Sequence, residues 1–283
     1  MRVLAPGIFV EDDLLGVHLG AVDSEDGLLL IDSPLRTEDV REWLNQLASY
    51  GRPRYLVLLD HHLDRVLGAR NFDVTILAHE TARDVMSDWP DSYKGGANPI
   101  GAEADRLKRI TGVTRAVPTL TFSSALTIYL GSRQVQFRHR PGPMPDSCWV
   151  VLPEAKLVFI GDAVTVAEPP YLGESNLDVW LAALDELRDL AAHSYRLIGS
   201  RDGEVGREAV AAMARLLRKI QRLVERFASK SGPSRSLESS VSHLAQGYHL
   251  PTDRMERALL RLRVGVTRLI ERRLATQAPP HPR

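Results

Sequence analysis

The chain has 283 residues, 44% hydrophobic and 25% charged, the balance of a soluble globular protein with room for one large domain and an appendage. A single cysteine, Cys148, excludes an internal disulfide and any Cys-based zinc cluster. No run approaches the ~20 apolar residues a membrane span needs, and the opening "MRVLAPGIFVEDD" lacks a basic-then-apolar signal pattern, so a cytoplasmic address and no membrane partner are expected.

The formal net charge of zero hides an asymmetry. Residues 1–203 hold 20 Lys+Arg against 29 Asp+Glu, a net of −9, while residues 204–273 hold 15 against 7, a net of +8, with Arg283 beyond. A split of this size marks a change of functional part. The boundary is expected near Gly203–Glu204, giving a first domain of residues 1–203 and a basic helical extension of residues 204–283.

In the acidic part, "GIFVED" and "LLGVHLGAVDSEDGLLLIDS" read as strands, with Asp26-Gly27 as a hairpin turn. "TEDVREWLNQLASYG" reads as a helix capped by Thr37, striped by Val40, Trp43, Leu44 and Leu47, and ended by Gly51. "YLVLLDHHLDRVLGARNF" (55–72) begins as a strand covered on both faces and runs into a His/Asp cluster at its C-terminal end, where α/β folds place their sites. A short helix over Val66–Asn71 and the strand "DVTILAHE" follow. "ALTIYLG", "RQVQFRHR", "CWVVLPE" and "KLVFIGDAV" supply four strands, "NLDVWLAALDELRDLAAH" a helix, and "YRLIGSRDG" a last strand and loop. Hairpins followed by βα units predict two sheets with helices outside them.

The second part reads as helical. "EVGREAVAAMARLLRKIQRLVERFASK" has a 3.6-residue apolar period, and the stripe Met213, Leu216, Leu217, Ile220 and Leu223 is expected to be buried, with dimerisation. Ser236 caps "LESSVSHLAQGYHL", a long arginine-rich helix follows Pro251, and the tail "TQAPPHPR" has the composition of a disordered end.

The order "DGLLLIDSP … LLDHHLDRVLGARNF … AHE … RPGPMPDSCWVVLPEAKLVFIGDAV … LIGSRDG" resembles the metallo-β-lactamase superfamily over roughly residues 5 to 203. The resemblance implies an αβ/βα sandwich with two metal ions, usually zinc or iron, at one edge. It implies a motif His-x-His-x-Asp-His, one His after Pro-Gly, a bridging Asp in Gly-Asp, and a late His. Carried over, these positions are Asp60, His62, Asp64, Arg65, Pro143, Asp162 in Gly161-Asp162, and Arg201, the last in a register loose by one residue. Only His62, Asp64 and Asp162 keep the family's residue type. Asp64 would be the motif aspartate, and Asp32 would orient the metal-binding loop.

Arginine is protonated at any accessible pH and has no lone pair to give a metal. Arg65 and Arg201 therefore remove two ligands of the second ion, and Pro143 removes one of the first. Asp60, His62 and Asp162 remain as a 1-His-2-carboxylate set suited to a single Zn, Fe or Mn ion. The opposing reading has the guanidiniums replace the ions by pairing with buried carboxylates, Arg65 and Arg201 with Asp64 and Asp162. The same arginines could hold a small anionic ligand. The expected function is therefore a metal-free binding or scaffold protein, a homodimer, with a mononuclear hydrolase as the alternative. Nucleic-acid binding through the basic helices is a further alternative. A helix docked on the acidic domain or on a second subunit is the simpler account of those helices, which interleave no aromatic residues for base stacking.

His61 is expected to point away from the ligand positions, and His18 and His79 to pack or start helices. His139 is expected to be structural, and Cys148 a buried inert thiol.

Overall fold

A computed structural model describes residues 1–90, 104, 115–229 and 236–277. Residues 91–103 and 105–114, and residues 278–283 of the tail, lie outside these. The first sheet runs in chain order through β1 (Arg2–Ala5), β2 (Ile8–Glu11), β3 (Leu19–Val22), β4 (Leu28–Ile31), β5 (Pro53–Val57), β6 (Thr75–His79) and β7 (Leu120–Phe122). Its first four strands are antiparallel hairpins and its last three connections are parallel. The turn at Asp26-Gly27 joins β3 to β4, with Gly27 at φ +101°, a backbone region open to glycine.

The second sheet contains β8 (Ala125–Leu130), β9 (Arg133–His139), β10 (Cys148–Leu152), β11 (Leu157–Gly161), β12 (Arg196–Gly199) and β13 (Gly203–Val205), ordered β13-β12-β11-β10-β9-β8. β13 pairs with β12 from Gly203 to Val205, so the boundary expected at Gly203–Glu204 falls inside a strand. β1, β7 and β13 are strands of three or four residues, too short for an alternation pattern to register.

The sheets face each other over a core that includes Ile8, Leu29, Ile31, Val57, Phe137, Val150 and Phe159. Outside the first sheet lie α1 (Thr37–Leu47), α2 (Leu63–Val66) and α3 (Glu80–Ser87), over a core centred on Trp43, Leu56 and Leu58. Outside the second lie α4 (Leu177–Ala192), α5 (Arg207–Ala228), α6 (Leu237–Ala245) and α7 (Thr252–Gln277). The result is an αβ/βα sandwich with a helical C-terminal extension. No helix among the described residues is long and apolar enough to cross a membrane.

Three local expectations are corrected. Thr37 is the first helical residue of α1, and Arg36 stands at the cap without a side-chain bond. The helix expected over Val66–Asn71 is α2 followed by a 3-10 turn at Ala69–Asn71. In the stripe of α5, Met213, Leu217, Ile220 and Leu223 are buried while Leu216 is only partly so. These side chains pack within the chain, in one core with Trp180 of α4 and with Val158 and Leu197 of the second sheet. Ser236 does cap α6, its hydroxyl accepting from Ser239 N at 3.2 Å.

Candidate functional site

The C-terminal ends of β4, β5, β11 and β12 deliver Asp32, Asp60 to Asp64, Asp162 and Arg201 to one edge of the sandwich. Asp32 sits at φ +61°, a left-handed conformation that Asp adopts more readily than most residues. Its Oδ1 accepts from Leu59 N at 2.9 Å and its Oδ2 from Arg65 Nη1 at 2.6 Å. Asp32 thus ties the end of β4 to the loop after β5, as its expected orienting role requires.

Arg65 has no solvent-exposed surface. Besides Asp32, its Nη1 donates to Ser200 Oγ at 3.0 Å. Its Nε lies 2.7 Å from Asp60 Oδ1 and its Nη2 3.0 Å from Asp162 Oδ2. Arg65 therefore meets Asp162 as expected, but its other partners are Asp32 and Asp60 rather than Asp64. The reason is direction: Arg65 follows Asp64 on a single helical turn, so the two side chains leave the helix on different faces.

Asp64 is met by Arg201. Arg201 Nη1 donates to Asp64 Oδ2 at 2.7 Å, Nε to Asp162 Oδ1 at 3.2 Å, and Nη2 to Asp162 Oδ2 at 3.1 Å. The same Nη2 lies 3.2 Å from His62 Nδ1. Asp64 Oδ1 accepts from Ala104 N at 2.8 Å.

Four carboxylates surround two guanidiniums, and the imbalance shows in their titration. Burial raises the pKa of Asp32 despite Arg65. Burial, with help from Asp146, Asp162 and Asp32, lifts Asp60 to about 7 against the pull of Arg65. Burial would raise Asp64 and Asp162 too, but Arg201 outweighs it at both, aided by Arg65 at Asp162, and holds them well below the usual carboxylate range. The two guanidiniums thus divide the four carboxylates: Asp64 and Asp162 are held ionised, while burial pushes Asp32 and Asp60 upward. Burial also lowers His62 to about 4, so its imidazole is neutral and its Nδ1 can accept from Arg201.

These residues do not fit a metal ion. Each nitrogen of both guanidiniums faces a protein acceptor, and cationic nitrogens stand among the atoms that would have to coordinate. Among the described residues, the one trio of His, Cys, Asp or Glu donors within 4.8 Å of one another is Glu11, Asp12 and Asp13. Asp60, His62 and Asp162 do not converge to that degree. In the acidic trio, Glu11 pairs with the N-terminal amine at 2.9 Å and Asp12 with Arg2 at 3.0 Å.

His61 leaves the cluster in the other direction. Asp146 binds both its backbone N–H, at 2.7 Å, and its Nδ1, at 2.8 Å, and Glu174 lies 3.5 Å from its Nε2. Burial alone would lower this imidazole's pKa, but the two carboxylates raise it to about 10. Asp146 and Ser200 went unremarked in the sequence. An acid shortly past a Pro-Gly turn was the available signal for Asp146, and nothing marked Ser200. His79 caps α3, its Nδ1 accepting from Thr81 N at 3.2 Å, and stacks on His139 at 3.7 Å between ring centroids. Burial pushes the Cys148 thiol pKa up, away from a reactive thiolate.

The loop over residues 165–176 borders this edge, with Tyr171 edge-on to His62 at 5.6 Å between centroids. Asp202 holds its start by accepting from Val166 N at 2.7 Å and Ala167 N at 2.8 Å. α7 holds the rest: Arg254 and Arg261 both pair with Glu168, and Arg272 donates to Ser175 O at 2.9 Å. Gly265 of α7 packs so closely on Leu172 that a Cβ there would lie 2.6 Å from Leu172 Cβ.

Known proteins share this architecture. A metallo-β-lactamase from Pontibacter korlensis superposes with a TM-score of 0.62 at 16% identity, covering 77% of this chain and 97% of that one. A metallo-β-lactamase family protein from Thermus thermophilus gives 0.65 at 18%, over 92% and 93% of the two chains. A sec-alkylsulfatase from Pseudomonas sp. gives 0.65 at 17%, with this chain 98% covered but spanning only 51% of the sulfatase. At such identities the likeness is one of fold. No curated protein matches the sequence significantly. The family model described as the metallo-β-lactamase superfamily matches residues 13–193, well over half of the sequence. The chain belongs to the metallo-β-lactamase superfamily.

Proposed function

We propose that this chain is a metal-independent member of its superfamily, a binding or scaffold protein whose catalytic centre has become a structural charge network. The observation that carries the reading is the Arg201 guanidinium spanning Asp64 and Asp162, at 2.7 Å and 3.1 Å. The resemblance assigns those two carboxylates to the second ion. Arg65, fully enclosed by Asp32, Asp60 and Asp162, adds the second positive charge. The two guanidiniums already stand among these carboxylates, so a divalent cation would have to enter beside two fixed positive charges in a buried space. A cytoplasmic setting accords with the single buried thiol.

The alternative is a mononuclear hydrolase using Asp60, His62 and Asp162. One observation favours it: Asp60 Oδ2 is buried with no hydrogen-bond partner. Thermal unfolding with zinc, manganese or ferrous ion separates the two. A ligand at 100 times its Kd stabilises a protein by about 2.7 kcal/mol, which is several degrees of Tm for a chain of this size. The melting temperature is expected to stay unchanged by each ion and by a chelator. A rise of several degrees that the chelator reverses supports the hydrolase instead.

A further inference from the structure

The arginines of the extension divide into two sets. Those of α7 face inward or pair locally: Arg254 and Arg261 with Glu168, Arg263 with Glu238, Arg272 with Ser175 O, Arg273 with Glu225. Those of α5 do not. Arg215, Arg218, Lys219, Arg222 and Arg226 are exposed, and none pairs with an acid among the described residues. Arg218 and Lys219 are adjacent and the other steps are of three or four residues, so all five share one helix face, in a stripe about 16 Å long at 1.5 Å per residue. The exposed acid within this stretch, Glu225, is already engaged by Arg273 at 3.0 Å.

We propose that this face of α5 is a docking surface for the phosphate backbone of duplex nucleic acid. The proposal goes beyond the metal-free reading of the sandwich edge and does not depend on it. Grooves flank the ridge on both sides. One, of about 890 Å³, is lined by Arg218, Arg222, Arg272 and Arg273 but also by Glu174, Asp178 and Glu225, so the positive charge on this side lies on the ridge itself. The other, of about 530 Å³, brings His243 of α6 beside Lys219, Arg222 and Arg226.

The chemistry of the face selects among polyanions. A single strand is held by aromatic side chains on which bases stack, and α5 has one aromatic residue, Phe227, half-buried with Arg226 over its ring at 5.8 Å. A membrane surface asks for exposed apolar residues beside the cations, and α5 has no exposed large hydrophobic residue. A protein partner would want aromatic or apolar anchors at its centre, which this face also lacks. A ridge of cations without anchors fits a phosphate backbone, where affinity comes from releasing counterions. Cations that meet only phosphates fix position on the duplex without reading bases, so the contact is expected to be indifferent to base sequence.

Fluorescence anisotropy of a labelled mixed-sequence 24-base-pair DNA duplex with the full chain tests this. Up to five phosphate contacts give a log–log salt slope near about −4.5, so raising salt from 50 to 200 mM should weaken binding by up to about 500-fold. R218E/R222E and, separately, K219E/R226E should each lose binding by at least about tenfold while retaining the circular dichroism of the parent. R70E, on the opposite helical layer, should bind as the parent does. The proposal is overturned by no binding at 50 mM salt, by a salt-independent Kd, or by both double variants binding normally. It is equally overturned if a polyglutamate peptide or phosphatidylserine vesicles displace the duplex at matched charge concentration, which would assign the face to an acidic protein or a lipid surface.

Discussion

Arg201 Nη1 lies 2.7 Å from Asp64 Oδ2 across 137 residues of sequence, joining the loop after β12 to the short helix after β5. This contact closes the edge of the sandwich where superfamily resemblance places metal ligands. The fixed positive charge there holds Asp64 and Asp162 ionised and adds to the burial that keeps His62 neutral.

Replacing Arg65 by methionine should be the costliest substitution at this edge. It would leave Asp32, Asp60 and Asp162 facing a buried apolar group, at a cost of about 3–5 kcal/mol. Arg201→Met should cost less, about 2 kcal/mol, because Arg201 is 13% exposed where Arg65 is wholly buried, Asp162 keeps Arg65, and Asp64 keeps the Ala104 N–H. Urea unfolding of both variants checks the order, and an Arg201 variant the less stable of the two would refute it. Asp60→Asn should relieve part of the Arg65→Met loss, since the two groups are in contact and their effects should not add.

The architecture was legible where the physics is local. Apolar runs, the Asp26-Gly27 turn and the 3.6-residue period of α5 mark strands, a hairpin and a helix without knowledge of their neighbours. The arginines at positions 65 and 201 were legible as charges out of place for a metal site. Their partners were less so. Arg65 meets Asp32, 33 residues away, because of how β4 and β5 lie side by side, and no pattern in the sequence encodes that pairing of side chains. Glu168 was invisible as the anchor of α7 for the same reason, since only the packed helix brings Arg254 and Arg261 to it.

The clamp of α7 on the loop 165–176 predicts an inverted glycine effect. Alanine in place of a mid-helix glycine ordinarily stabilises by up to about 1 kcal/mol. At Gly265 the new methyl would lie 2.6 Å from Leu172 Cβ and 3.2 Å from Leu172 backbone atoms, which cannot swing aside. Gly265→Ala should therefore destabilise by about 1–3 kcal/mol, measured by thermal or urea unfolding. A stabilised variant would show that α7 does not press on the loop.

Glu168→Gln removes the charge that Arg254 and Arg261 share. Amide hydrogen exchange should quicken in residues 166–175 with little change in the sheets, because the loop opens locally when its anchor weakens. Uniform exchange across the chain would argue that Glu168 serves the whole fold instead.

His61 sets the alkaline behaviour. Its pKa is about 10 in the folded chain, against about 6.5 when unfolded. Between these values the folded state binds the extra proton, so stability is full below about pH 6.5 and falls as pH rises through about 10. His61→Gln should flatten that decline. Unfolding free energies at pH 6, 8 and 10 for parent and variant make the comparison, and parallel curves would remove His61 from the account.

Elemental analysis addresses the central claim most directly, on the chain equilibrated with excess zinc, ferrous and manganous ion and then desalted. With guanidiniums among the would-be ligands, well under one ion per chain should remain. Two tightly held ions per chain would contradict the account.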